Sequence, residues 1–190
     1  MMDDELEGLG PLAQMVGVWV GDSGEDVAPS PERAPAKTAF RERIVVASIG
    51  RVDNHEQVLY GVKYTKTAWR MPLDQQFHEE TGYWLWDANR GQVMQCFVVP
   101  RGISVLAGGA ATPTATKFEL VAELGSPTFG IASNPFLDRE FKTVRYEYEV
   151  DFEEDGVMSY RSNIFIQVVG RDDIFRHSDV NTVRRVHVPE

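Results

Sequence analysis

The sequence holds a single cysteine, only four histidines and no long apolar run, and each scarcity narrows what the chain can be. Cys96 alone cannot close a disulfide within the chain, which fits a reducing cytoplasm. No stretch approaches the ~20 apolar residues of a membrane-spanning helix. Basic side chains number 19 against 29 acidic ones, so the formal charge of −10 leaves no basic footprint for a phosphate backbone or an anionic lipid surface. The N-terminus, Met1-Met2-Asp3-Asp4-Glu5, is acidic where a secretory signal carries positive charge. Also missing are a Gly-x-Ser-x-Gly nucleophile elbow and a glycine-rich phosphate loop opening a helix. The expectation is a cytoplasmic protein with neither nucleic acid nor membrane as partner.

What is present is a core. A chain of 190 residues, 43% hydrophobic and 25% charged, predicts one globular domain over 1–190. Residues 1–15 read as a short helical cap, with Asp3 and Asp4 at its start and Leu6, Leu9, Leu12 and Met15 at near-helical spacing. From Val16 onward the period is two. In 143–152, Val144, Tyr146, Tyr148, Val150 and Phe152 alternate with polar residues, Asp155-Gly156 supplies a hairpin turn, and Met158 through Val168 resume the alternation. Further strands are predicted at 16–21, 39–49, 57–69, 80–87, 92–99, 103–108, 116–123 and 179–188, separated by glycine- and proline-bearing turns. About ten short antiparallel strands without helices between them predict an all-β, up-and-down barrel, because closure removes exposed edges. Two loops interrupt the series: 22–38, with Pro29, Pro31 and Pro35, and 125–138.

Few residues could carry chemistry. His55 lies in a turn and His187 near the C-terminus, so both are expected in solvent. His78 and Glu80 share one face of a strand, enough for a hydrogen-bonded pair but short of the three or four ligands of a metal site. Cys96 sits inside a strand as a small buried hydrophobe. Glu147, Glu149 and Asp151 share a face expected to be wet. His177 precedes the predicted last strand, a capped or surface position unless a ligand claims it. Gly17-Val18-Trp19-Val20-Gly21 places an indole at the entry of the first strand, where Arg184 or Arg185 of the last strand can stack on it.

These segments, taken in order with Tyr64-Thr65-Lys66-Thr67-Ala68-Trp69, His78-Glu79-Glu80-Thr81-Gly82-Tyr83 and Pro100-Arg101-Gly102, resemble the nitrobindin-like heme-binding β-barrels, fatty-acid-binding-protein-like members of the calycin group. The resemblance runs from about residue 12 to 187. It implies a ten-stranded antiparallel barrel with a short N-terminal helix, ferric heme b in the lumen, and His177 as axial ligand to the iron. It further implies a cation at the mouth for a heme propionate, for which Lys142 is the candidate, and nitric oxide binding with peroxynitrite isomerase activity. The family signature Gly-x-Trp-x-Gly-x-Gly is altered here: position 23 is Ser, and Gly24 arrives one residue late. The alternative reading is a non-enzymatic carrier of a fatty acid or other apolar ligand in the lumen, with Arg145 or Arg161 meeting a carboxylate head group. A second copy of the chain, as a homodimer, is the remaining expected partner.

Overall fold

The computed structural model describes residues 6–153 and 156–187. A 3-10 turn, Gly10–Met15, is followed by β1 (Gly17–Pro29), β2 (Pro35–Asn54), β3 (Gln57–Arg70), β4 (Gln75–Asp87), β5 (Gln92–Val99), β6 (Ile103–Ala110), β7 (Lys117–Glu123) and β8 (Ile131–Ser133). A single helical turn and a half, α1 (Pro135–Glu140), then leads into β9 (Phe141–Glu153), β10 (Val157–Val168) and β11 (Ile174–Val186). Ten of these strands close a ring in chain order, β1 through β7, then β9, β10 and β11 back to β1, each antiparallel to its neighbours. The three-residue β8 lies outside the ring on the edge of β6. The chain is thus a closed ten-stranded antiparallel β-barrel with a short N-terminal helical turn. None of the described helices is long and apolar enough to cross a membrane.

The 3-10 turn plugs the end of the barrel where β1 begins. Leu9, Leu12 and Met15 are buried there, and Trp19, 1% exposed, donates its indole N–H to the Met15 carbonyl at 2.8 Å. Arg185, one of the two candidates from the sequence, lies 4.6 Å over the Trp19 ring. An indole that is both hydrogen-bonded and capped by a guanidinium closes this end as the first-strand motif predicts. Asp3, Asp4 and Asp155 lie outside the described residues.

The segment 22–38 is not a loop. β1 and β2 continue as a paired ribbon from Glu25↔Ala39 out to Pro29↔Pro35, leaving only residues 30–34 as the turn. The Ser30 hydroxyl accepts from the Glu32 and Ala34 amides, and Pro29 and Pro35 occupy the last pair, where lost amide donors cost the ladder little. The displaced glycine of the signature is absorbed by a register shift between Gly21 and Gly24, so that Asp22 and Ser23 form a bulge and the strand resumes. The 125–138 segment likewise carries β8 and the start of α1, whose cap Asn134 accepts from the amides of Phe136 at 2.9 Å and Leu137 at 3.1 Å.

Two further expectations are corrected. β11 begins at Ile174, five residues before the predicted start, so His177 lies within the last strand rather than ahead of it. Cys96 alternates with buried Gln95 and Phe97 and therefore faces outward, half-buried, with its thiol on the Tyr83 carbonyl at 3.7 Å. Its thiol is raised by that partial burial.

Candidate functional site

Inward positions divide the lumen into two tiers. Toward the 3-10 turn they are apolar: Trp19, Trp86, Val93, Phe152, Met158 and Val183 pack into one cluster. Toward the opposite end, where β1 finishes and β11 starts, the same alternation delivers polar side chains. On β11 the inward set runs Phe175, His177, Asp179, Asn181, Val183, and on β1 beyond the bulge it includes Asp26.

Backbone register sets Asp26 directly opposite Asp179. Two carboxylates facing each other across strands repel unless a cation sits between them. His177 supplies it: its Nε2 lies 2.8 Å from Asp26 Oδ1 and 3.6 Å from Asp179 Oδ1, with the imidazole side chain 23% exposed at the mouth. Burial opposes the imidazolium, but the hydrogen bonds and charges of Asp179 and Asp26 outweigh it and push His177 up to about 10. Asp179 is held well below the usual carboxylate range; burial works against ionisation there and is overcome by His177 and Lys66. Asp26 moves up, chiefly through burial, with Asp179 adding to it and His177 opposing. The donor atoms of Asp26, His177 and Asp179 all lie within 4.8 Å of one another, a set able to hold a metal ion.

A second group surrounds Glu42, whose side chain is fully buried. Asn181 donates to Glu42 Oε1 at 2.7 Å, the Tyr160 hydroxyl lies at 2.8 and 2.9 Å from its two oxygens, and Lys66 Nζ is 3.3 Å from Oε2. Lys66 also donates to the Tyr160 hydroxyl at 2.7 Å. Burial disfavours the Lys66 ammonium, yet Glu42, Glu80 and Asp179 together keep it above its ordinary value. A third group hangs on Glu80, which accepts from the Tyr64 hydroxyl at 2.8 Å and pairs with His78 at 3.2 Å. Gln95 bridges Tyr64 and Tyr146, at 2.9 and 3.0 Å. Glu42, Glu80, Tyr64, Tyr146, Tyr160, Asn181 and Gln95 are each tied into hydrogen bonds, as polar side chains in a low-dielectric interior require.

Of the residues singled out in the sequence, the structure places His177 inward at the mouth and confirms the His78–Glu80 pair. His55 is exposed in a turn at φ 57°, His187 is exposed, and Glu147, Glu149 and Asp151 lie on the outer wall. Lys142 is not brought to His177. It alternates with buried Thr143, so it faces outward, and it pairs with Asp138 of α1 at 3.3 Å. Arg145 is likewise outside, bound to Glu123 and Glu147, and Arg161 is exposed. The cation that does face the lumen is Lys66. With Asp26, Glu42, Tyr160, Asp179 and Asn181 it went unread, although a charged residue at an inward position, such as Glu42 between Phe40 and Ile44, is the signal that could have found it.

Comparison with known proteins bears on this site. The sequence model of the THAP4-like, heme-binding beta-barrel domain matches residues 8–185. Curated proteins give no match to the sequence. Among solved structures, the crystal structure of Rv2717c from M. tuberculosis superposes with a TM-score of 0.66 at 21% identity, covering 96% of this chain and 98% of that one, a likeness of fold.

Proposed function

The chain belongs to the family of THAP4-like heme-binding β-barrel domains, and from that premise we propose that it binds ferric heme b at the open end of the barrel, with His177 as the histidine that meets the iron. The observation that carries this reading is the placement of His177: an inward imidazole, reachable from the mouth, backed by the Asp26 carboxylate at 2.8 Å. Metal-bound histidines characteristically give their second ring N–H to a carboxylate, which fixes the ring and strengthens it as a donor. The donor set therefore fits iron in kind. Asp26 orients the ring through Nε2, while Nδ1 has no hydrogen-bond partner among the described residues. Ligation through Nδ1 leaves the Asp26 bond in place, and ligation through Nε2 requires its exchange. Next to His177, Phe175 and Ile166 pack with Ile164 into a small buried apolar cluster. Heme held this way supplies a site for nitric oxide and for conversion of peroxynitrite to nitrate.

His177 carries two protons at neutral pH, so metal binding must release one. Hemin affinity should accordingly rise between pH 7 and 10, a window set by the carboxylate clamp. The test is a hemin titration followed in the Soret region on wild type, His177→Ala, Asp26→Asn and His78→Ala. Loss of the histidine-type band in His177→Ala alone among the histidine variants supports the proposal; an unchanged band there overturns it. Asp26→Asn decides the ligating nitrogen, because it tightens binding if the Asp26 bond must be exchanged and weakens it if that bond orients the ring.

The fatty-acid carrier reading of the lumen has less support. The apolar tier is filled by three buried tryptophans and their neighbours, and the charges of the polar tier are already paired with one another.

A further inference from the structure

A cavity of about 960 Å³ lies on the outer wall of the barrel, over β2 to β6, bounded on one side by the 125–132 segment. Its floor includes one continuous cross-strand row, Ala47, Lys63, Tyr83, Cys96 and Leu106, set side by side by the register of five strands. The neighbouring row contributes Val45 and Val98, the latter 50% exposed. The 125–132 wall is fixed by the Leu106 amide on the Gly130 carbonyl and by the Ser126 hydroxyl, which accepts from the amides of Thr128 and Phe129. None of these outward side chains belongs to the lumen network.

The charge of this surface runs against that of the molecule. The chain carries a net −10, yet the lining holds no Asp or Glu and one cation, Lys63. Lys63 makes no ion pair among the described residues, and the hydroxyl of Tyr83, its direct cross-strand neighbour, has no hydrogen-bond partner there either. Two cross-strand neighbours with unpaired donors, in a groove whose lining also carries the hydroxyls of Thr65, Thr81, Ser104, Ser126 and Thr128, form a head-group site for a carboxylate, since N–H and O–H donors to an ionised acceptor make the stronger class of hydrogen bond. The volume lies within the ~300–1,000 Å³ range of small-molecule sites. We infer that this outer groove binds a single-chain aliphatic monocarboxylate, its head on Lys63 and Tyr83 and its chain along Leu106 and Val98 toward the 125–132 wall. The site is separate from the barrel mouth and does not rest on heme binding.

Cys96 lies in the middle of the row and, as the chain's one cysteine, reports occupancy of the groove. The probe is oleate below its micellar concentration, titrated calorimetrically into wild type, Lys63→Glu and His177→Ala, with N-ethylmaleimide modification of Cys96 timed with and without oleate. The expected result is one-to-one binding, weakened at least tenfold by Lys63→Glu, unchanged by His177→Ala, and accompanied by severalfold slower modification of Cys96. Oleyl alcohol, which lacks the carboxylate, should bind at least tenfold more weakly. Lys63 is exposed, and an unchanged circular dichroism spectrum of Lys63→Glu excludes misfolding as the cause. Absence of binding overturns the inference, as does binding that Lys63→Glu leaves intact. Oleate displaced by hemin and lost in His177→Ala would place the ligand in the lumen and overturn it equally.

Discussion

At the scale of single residues, the polar tier works because each buried charge has a partner of opposite sign. Glu42 illustrates the consequence. Its carboxylate is the acceptor for Lys66, Tyr160 and Asn181 together, so Glu42→Ala takes from the buried Lys66 ammonium its paired carboxylate and leaves it only the longer-range charges of Glu80 and Asp179. Breaking a buried pair from one side costs ~3–5 kcal/mol. Urea unfolding should show a loss of that order for Glu42→Ala and a smaller one for Glu42→Gln, which keeps two acceptor–donor contacts; equal and small losses would mean the tier is solvated. His177 gives a second prediction. Its folded-state value is raised from 6.5 to about 10, so the stability it contributes is complete below about 6.5 and is lost as pH rises through about 10. The urea midpoint of wild type should fall between pH 7 and 10 more steeply than that of His177→Gln, and parallel curves would remove the Asp26–His177–Asp179 clamp from the account.

Among the elements, the ribbon made by the outer halves of β1 and β2 and the seam between β6 and β7 are the most informative. Hydrogen exchange should find the amides of 25–28 and 36–40 that donate across the β1–β2 ladder protected, with fast exchange at 30–34 and at the amides of 36–39 that face away from β1. Loop-like exchange across all of 22–38 would contradict the pairing from Glu25↔Ala39 to Pro29↔Pro35. At the seam, β6 and β7 share the single register pair Gly108↔Val121, and a Cβ on Gly109 would stand 1.8 Å from the Glu119 carbonyl oxygen. That approach is open to glycine alone, so Gly109→Ala must push the strands apart. A loss of at least ~1–3 kcal/mol, typical of overpacking, is expected in thermal or urea unfolding, and a neutral effect would show that the seam is loose. The elements also show what the sequence could express. β3, β5 and β10 were legible because most of their inward positions are apolar, and one polar residue among them, Lys66, Gln95 or Ser162, does not break the alternation. The outer half of β1 and the first residues of β11 were not, since Asp26, His177 and Asp179 occupy inward positions and erase the hydrophobic period. The site was hidden for the same reason: His177 could be named from a motif, but its clamp depends on the register Asp26↔Asp179 across 151 residues of chain from Asp26 to His177, which no local spacing encodes.

As a whole molecule, the barrel is sealed at one end by the 3-10 turn and Trp19, filled by apolar side chains behind that seal, and lined by paired acidic and basic side chains toward the other end. Closure pairs most strand edges among the described residues, leaving the outer end of β2 ahead of Phe40 unpaired on its β3 side. This architecture concentrates accessible chemistry at one mouth, where His177 is the imidazole set between two carboxylates. The measurement that tests this most directly is the titration of hemin into the wild-type protein and into His177→Ala at matched pH, read in the Soret region. The account predicts one-to-one binding with a histidine-type Soret band in wild type, absent in His177→Ala although that variant keeps its β-sheet circular dichroism. A band of equal intensity and position in both proteins would contradict it.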